Sequence, residues 1–426
     1  MVLKFTLFIA LAVTAAARRA PNADRVKSLF EANPALRMSS DIQEDSELDV
    51  PGLIAKYGYP IEVHSVETSD GYILEAHRIP HGKDQNNDPN LKRPVVFIMH
   101  GILSSSADFV VLGPGSALAY LLAEAGYDVW LGNARGNYYS RKHKSISPDG
   151  TLQNFWRFSW DEIGNYDLPA FIDYALKTTG QEKLHYIGHS QGGTTFLVLN
   201  SLRPEYNQKF LSFQGLAPAA YFKHNEVAMF KSLAPMESYI ESTAFLMGQG
   251  EIFGGNGFVD WFRRNFCGDN PSALFASLCD TNILARLTDR EHYNATMVPL
   301  FLAHSPAGAS VRQVAHYGQI IRFDAFRRYN HNLAVQNLLA YGRLNPPAYN
   351  LRRVTAPTYL HYGLSDNEVH YKDLLLLADT LPNVVGTYKV ERDSFNHFDF
   401  IWGNDAREQF YDRTLIPLLK EIDSRQ

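Results

Sequence analysis

The 426-residue sequence predicts an α/β protein built on a mostly parallel, doubly wound sheet with a helical insertion. Three observations predict it. Short apolar runs alternate with helical stripes from Val95 to Leu216, as they do when helices cross over between parallel strands. The rhythm returns at Pro357–Gly363 and at Val384–Val390. Between Ala219 and Pro347 strand signals are few, and Phe, Leu and Met are dense.

Taken in order, the chain opens with Met1–Lys4, a short positive stretch, then an almost unbroken apolar run from Phe5 to Ala17. Ala15-Ala16-Ala17 offers a small-residue cleavage site, so residues 1–17 read as a secretory signal peptide. An apolar run of about 13 residues is too short for a membrane span, which needs ~20, and no later segment qualifies. Residues 18–50 are polar and without pattern, with an acidic run from Asp41 to Asp49, and are expected to form a mobile leader or pro-segment.

Glu62–Glu67 and Tyr72–Ile79 alternate as strands, joined by the turn Ser69-Asp70-Gly71. Lys83–Lys92 is a polar surface loop. Val95–Met99 is wholly apolar, as a central parallel strand is. A helix over Ala117–Ala125 ends at Gly126, and Tyr127–Leu131 is the next strand. Pro169–Leu176 has its proline near the first helical turn. Lys183–Ile187 and Leu211–Leu216 return to the sheet around a helix that includes Thr194–Leu199. The expected organisation is a core of residues 51–218 and 348–426, with residues 219–347 as a helical cap and lid.

Net charge is −5 and the pI about 6.3, so no electrostatic footprint for nucleic acid exists. The one tight basic cluster, Arg141-Lys142-His143-Lys144, reads as a solvated loop. There are two cysteines, Cys267 and Cys279. In a secreted chain such a pair is expected to bridge, with two buried free thiols as the alternative. A bridge there closes a short loop, worth about 3 kcal/mol at most, so it pins a local feature. Asn294-Ala295-Thr296 is a glycosylation sequon, which places Asn294 in an exposed loop if used.

The chemistry centres on Gly188-His189-Ser190-Gln191-Gly192, which lies between a strand and a helix. A serine on such a turn is held in strained φ/ψ with its hydroxyl lifted clear of the sheet, and flanking glycines let the elements pack close. Serine is a poor nucleophile at neutral pH, so it needs a histidine base oriented by an acid. In the α/β-hydrolase layout the order is Ser, acid, His, each past a strand end. Asp366 follows the Pro357–Gly363 strand and His397 follows Val384–Val390. Glu368 and Asp393 compete with Asp366 as the acid; Asp399 is expected to steady the histidine loop. A developing oxyanion needs two N–H donors: that of Gln191, after the nucleophile, and that of Ile102, in the loop His100–Ser104. No cofactor or metal is required, and no metal-ligand spacing is visible.

These residues resemble the acid lipase family, which holds the gastric and lysosomal acid lipases, and within it an insect digestive member. The likeness runs from about Leu53 to the C-terminus. It rests on Tyr57-Gly58-Tyr59-Pro60, Thr68–Leu74, His77-Arg78-Ile79-Pro80, Ala125–Asn133, Tyr166–Ala170, the elbow, Pro306–Ser310 and Asn396–Gly403. The chain departs from the family pattern at Ile102, where Leu is usual, at Phe398, and in the looser motif around Asp366. The resemblance implies Ser190, Asp366 and His397 as a catalytic triad, Ile102 and Gln191 as oxyanion donors, a Cys267–Cys279 bridge and a mobile lid. It implies a secreted enzyme, with the lysosomal lumen as the alternative address. That enzyme would hydrolyse long-chain esters, triacylglycerol in the first place, at an emulsion or membrane interface. A steryl ester hydrolase and a non-catalytic lipid-binding relative are the alternatives. The resemblance further implies turnover at acidic pH, which requires His397 to stay neutral below its reference value of about 6.5. An ionised Asp366 beside it raises that value, and burial beneath the apolar cap is expected to outweigh the carboxylate.

Overall fold

The runs read as central strands form the middle of one sheet, in the order β1–β2–β4–β3–β6–β7–β10–β11. The strands are β1 (Glu62–Glu67), β2 (Tyr72–Ile79), β3 (Val95–Met99), β4 (Asp128–Gly132), β6 (Leu184–His189), β7 (Phe210–Leu216), β10 (Thr358–Tyr362) and β11 (Val384–Lys389). A two-residue strand, β5 (Lys142–His143), pairs with β2. The computed structural model describes residues 19–31, 39–83, 91–225, 234–253 and 295–426. The expected signal peptide, both cysteines and Asn294 lie outside the described residues.

β2 is antiparallel to β1 and β4, and every neighbouring pair from β4 to β11 is parallel. Every residue of β3, β4 and β6 is buried, whereas the edge strand β11 alternates with solvent. The two-residue period persists inside the buried strands as a choice of side. Val96 and Ile98 of β3 join the core under the helices Leu118–Glu124 and Ile416–Asp423. Val95, Phe97 and Met99 join the opposite core, under Leu168–Thr179, Gln191–Leu202 and Tyr371–Thr380. Helices thus cover both faces, and the strand ends form the rim on which loops can carry chemistry.

Between β7 and β10 the described residues are mainly helical: Glu237–Leu246, Val298–His304, Val311–Phe323 and Ala334–Tyr341. One short antiparallel pair, β8 (Glu251–Ile252) with β9 (Ala309–Ser310), interrupts them. Among the described residues no helix is long and apolar enough to cross a membrane.

The segment read as patternless, residues 18–50, differs from that expectation. It carries helices over Ala23–Glu31 and Ser40–Glu47, and a third begins at Val50. Ser39 Oγ accepts from Ile42 N–H (3.3 Å), and Asp49 Oδ1 accepts from Gly52 N–H (2.9 Å), so both later helices are capped. The contacts explain why no pattern was visible. Ala20, Ala23 and Val26 bury against Ala303, and Asn22 N–H donates to the Ala303 carbonyl at 2.9 Å. A few small residues suffice for that docking, and helices this short draw their stability from such packing rather than from propensity.

A buried ion cluster ties the hairpin to the rim. Arg135 is 1% exposed; its Nε donates to Asp167 Oδ1 (2.7 Å), its Nη1 to Asp70 Oδ2 (2.6 Å), and its guanidinium lies 3.9 Å from the centre of the Tyr72 ring. Removing one member of a buried cluster strands the others without compensation. Arg135→Met should therefore lower stability by about 3–5 kcal/mol, read as a fall in the urea midpoint at unchanged slope.

Candidate active site

Ser190 follows β6 and precedes the Gln191–Leu202 helix with φ 51° and ψ −117°, the strained geometry expected of a sharp strand-to-helix turn. Two glycines explain how the turn closes. A Cβ on Gly188 would stand 2.7 Å from the Gly192 carbonyl carbon and from Gly193 N, and one on Gly192 would overlap the Met99 carbonyl. The helix N-terminus therefore presses directly on the ends of β6 and β3. Ser190 N–H donates to the Leu216 carbonyl of β7 (2.9 Å), which anchors the turn from the other side.

His397 and Asp366, 31 positions apart, meet at the same rim. His397 Nδ1–H donates to Asp366 Oδ2 at 2.8 Å, and both residues are buried. Asp366 Oδ1 accepts from Val369 N–H (2.7 Å), which fixes the carboxylate. The His397 carbonyl accepts from His189 Nε2–H (3.0 Å), so the residue before the serine braces the histidine loop. Asp399 Oδ2 accepts from Asn396 N–H (2.8 Å) and Arg392 Nη2–H (3.1 Å), steadying that loop from behind.

The competing acids separate. Asp393 is exposed and paired with Lys389 Nζ (2.8 Å). Glu368 remains near the pair: burial raises its carboxyl to about 7, against the pull of His397 and with a push from Asp366. On His397, burial favours the neutral ring, as expected from the sequence. It does not prevail. The Asp366 carboxylate, by charge and hydrogen bond, and Glu368 behind it hold His397 above its ordinary value of 6.5. Sequence reasoning weighed Glu368 only as a substitute acid; its spacing two residues after Asp366 is the signal that it could act alongside it.

The loop after β3 reaches the serine. A Cβ on Gly101 would lie 3.3 Å from Ser190 Cβ and 3.8 Å from its Oγ. Ile102 N–H takes no partner among the described residues. Gln191 is the first residue of its helix, where N–H groups have no partner within the helix. Both amides are thus available beside Ser190. The inserted segment leans on the same place: Gln191 Nε2–H donates to Gln313 Oε1 (2.8 Å), and Ala307 N–H donates to the Leu103 carbonyl (2.7 Å). A cavity of about 350 Å³ is lined by Arg157, Glu241, Phe245, Arg312 and Leu333 among others, and neither Ser190, Asp366, His397, Ile102 nor Gln191 lines it.

Residues 50–113 match the family described as the partial alpha/beta-hydrolase lipase region, and residues 94–404 match the alpha/beta hydrolase fold. Lipase 1 of Drosophila melanogaster is 44% identical over 89% of this chain and 82% of its own. The gastric triacylglycerol lipase of Homo sapiens is 37% identical over 88% of this chain and 91% of its own. The lysosomal acid lipase/cholesteryl ester hydrolase of Macaca fascicularis is 35% identical over 89% and 92%. The solved structure of lip1 from Acinetobacter baumannii shares the fold, with a TM-score of 0.51 at 14% identity over 92% of this chain and 99% of that one. The chain belongs to the acid lipase family, with the gastric and lysosomal acid lipases, and is a lipase of the α/β-hydrolase fold acting on carboxylic esters.

Proposed function

We propose that this lipase hydrolyses long-chain triacylglycerol through a Ser190–His397–Asp366 triad and an acyl-enzyme, after secretion. The observation that carries the reading is the buried His397–Asp366 hydrogen bond of 2.8 Å at the rim where the strained Ser190 turn emerges. Ser190 Oγ attacks the ester carbonyl as His397 Nε2 takes its proton. The oxyanion is held by Ile102 N–H and Gln191 N–H. His397 then protonates the departing alcohol, activates water and regenerates the serine as the fatty acid leaves. Asp366 holds the Nδ1–H tautomer and stabilises the imidazolium. Triacylglycerol is supported by the names of the gastric relatives, and steryl ester by that of the lysosomal one. Hydrolysis rates on triolein against cholesteryl oleate separate them: a higher kcat/KM on cholesteryl oleate overturns the triacylglycerol assignment. Secretion is supported by the apolar amino-terminal run, and is tested by whether expressed protein reaches the medium lacking residues 1–17.

Ser190→Ala and His397→Ala should each lower kcat about 10⁴-fold or more without unfolding the protein. Because the residues act as a unit, the double variant should be little worse than either single one. A Ser190→Ala enzyme that keeps a few per cent of turnover on a soluble ester rejects the assignment.

The acidic limb follows from the carboxylates around His397. The base must be neutral, so kcat/KM falls as pH drops through the pKa of His397. Since that pKa is raised, the limb should lie above 6.5 on a soluble short-chain ester. Glu368→Gln removes negative charge beside the ring, so it should move the limb to lower pH. A limb below 6.5 in the parent enzyme would mean that burial outweighs the two carboxylates.

A further inference from the structure

We infer that His100 is a positioning residue that aims the Ile102 amide at the reacting carbonyl, by holding the Gly101 carbonyl on its ring. The inference rests on the Ser190 reading above and assigns a task that the triad and the donors leave open. The orientation of a backbone N–H is set by its peptide plane, and this plane lies in a loop, where no strand or helix fixes it.

The ring tautomer follows from its neighbours. His100 Nε2 faces Ala134 N–H at 3.1 Å and the Asn137 side-chain amide nitrogen at 3.2 Å. Asn137 Oδ1 accepts from the N–H groups of Tyr139 (3.1 Å) and Ser140 (3.2 Å), so the Asn137 atom facing His100 is its NH₂. The same NH₂ also reaches Asn133 Oδ1 (3.0 Å) and the Ser104 carbonyl (3.4 Å). Ala134 N–H can only donate, so Nε2 must be bare, and the ring hydrogen sits on Nδ1. Nδ1 lies 2.7 Å from the Gly101 carbonyl, an acceptor only, so Nδ1–H donates there.

The Gly101–Ile102 peptide is trans, since the one cis bond among the described residues is Ser305–Pro306. In a trans peptide the N–H points opposite to the C=O. With the Gly101 carbonyl held on the ring, the Ile102 N–H is turned away from His100, and Gly101 itself lies against Ser190. The ring is 3% exposed, and burial lowers its pKa to about 4, so it stays neutral and keeps this arrangement through neutral and mildly acidic pH. Leu103, at φ 63°, then turns the chain so that its carbonyl meets Ala307 N–H.

Two substitutions divide the ring's functions. His100→Asn keeps an N–H at the δ position, able to reach the Gly101 carbonyl, but not Ala134. His100→Gln places its amide at the ε position, able to accept from Ala134 N–H, and leaves Gly101 without a donor. Loss of one oxyanion donor costs about 10²–10³ in kcat. His100→Gln should show that loss on a soluble ester at unchanged KM. Its affinity for an alkylboronic acid, which forms a tetrahedral adduct with serine, should weaken by a similar factor. His100→Asn should stay within about tenfold of the parent enzyme on both readings. If the Gln variant matches the parent, or the two variants fall alike, the positioning role is rejected. In the unsubstituted protein, histidine-selective ¹⁵N spectra should show His100 neutral with its hydrogen on Nδ1; a hydrogen on Nε2 overturns the inference whatever the variants' folding. Ser190→Ala is the control: an active Ser190→Ala enzyme removes the reading on which the inference rests, whereas an inactive one beside a fully active His100→Gln removes the inference alone.

Discussion

The approach of the Gln191–Leu202 helix to the sheet is the constraint on which the rest of the site depends. Gly188 and Gly192 lie so close that neither has room for a methyl group, and the Met99 carbonyl occupies the space beside Gly192. That closeness forces Ser190 into positive φ, which costs of order 1–3 kcal/mol that the surrounding packing must offset. Buried strands on both sides provide it: β3 and β7 flank β6 along its length. In return, the first N–H of the helix, the serine and the loop after β3 are brought within a few ångströms of one another. The strain at one residue is thus the consequence of a packing solution that also assembles its neighbours.

Electrostatics at this rim then sorts three histidines by their partners. His100 and His189 are both buried and lie among backbone groups, so desolvation dominates and both are held neutral. His397 is equally buried but faces Asp366 directly and Glu368 beyond it, and for this ring alone the neighbours reverse the sign. Burial by itself does not decide which histidine is basic. A carboxylate at 2.8 Å does, and Glu368 adds to it with a charge that itself changes near pH 7.

Much of this was legible in the chain, and the parts that were not share a physical cause. The central strands were readable because full burial demands unbroken apolar runs, as in Val95–Met99. The Ser190 turn was readable because only glycine tolerates the spacing at Gly188 and Gly192. The helix over Ala23–Glu31 escaped because it docks through Ala23 and Val26, and that over Ser40–Glu47 because its buried residues, Asp45 and Ser46, are polar; neither leaves a periodic apolar signal. The direction of the His397 shift escaped because it is a difference between opposing effects whose sizes depend on distance. His100 was read only as the first residue of the loop that carries Ile102, since its own role lies in which ring nitrogen carries hydrogen, and that is set by Ala134 and Asn137 more than 30 positions away.

The inserted segment is tied to both sides of this arrangement, which limits where the molecule can open. Gln313 bonds Gln191 beside the serine, Tyr317 Oη lies 3.2 Å from Thr194 Oγ1 one turn further along, and Ala307 bonds Leu103 in the facing loop. Asn22 in turn bonds the carbonyls of Ala303 (2.9 Å) and Pro306 (3.2 Å), so the amino-terminal helices strap the same stretch from outside. Moving residues 303–317 would break several of these bonds at once and leave buried polar groups unsatisfied, at about 1–3 kcal/mol each. It would also disturb the two amides proposed to hold the oxyanion. Residues 303–317 are thus held from both sides as a wall beside the Ser190 turn.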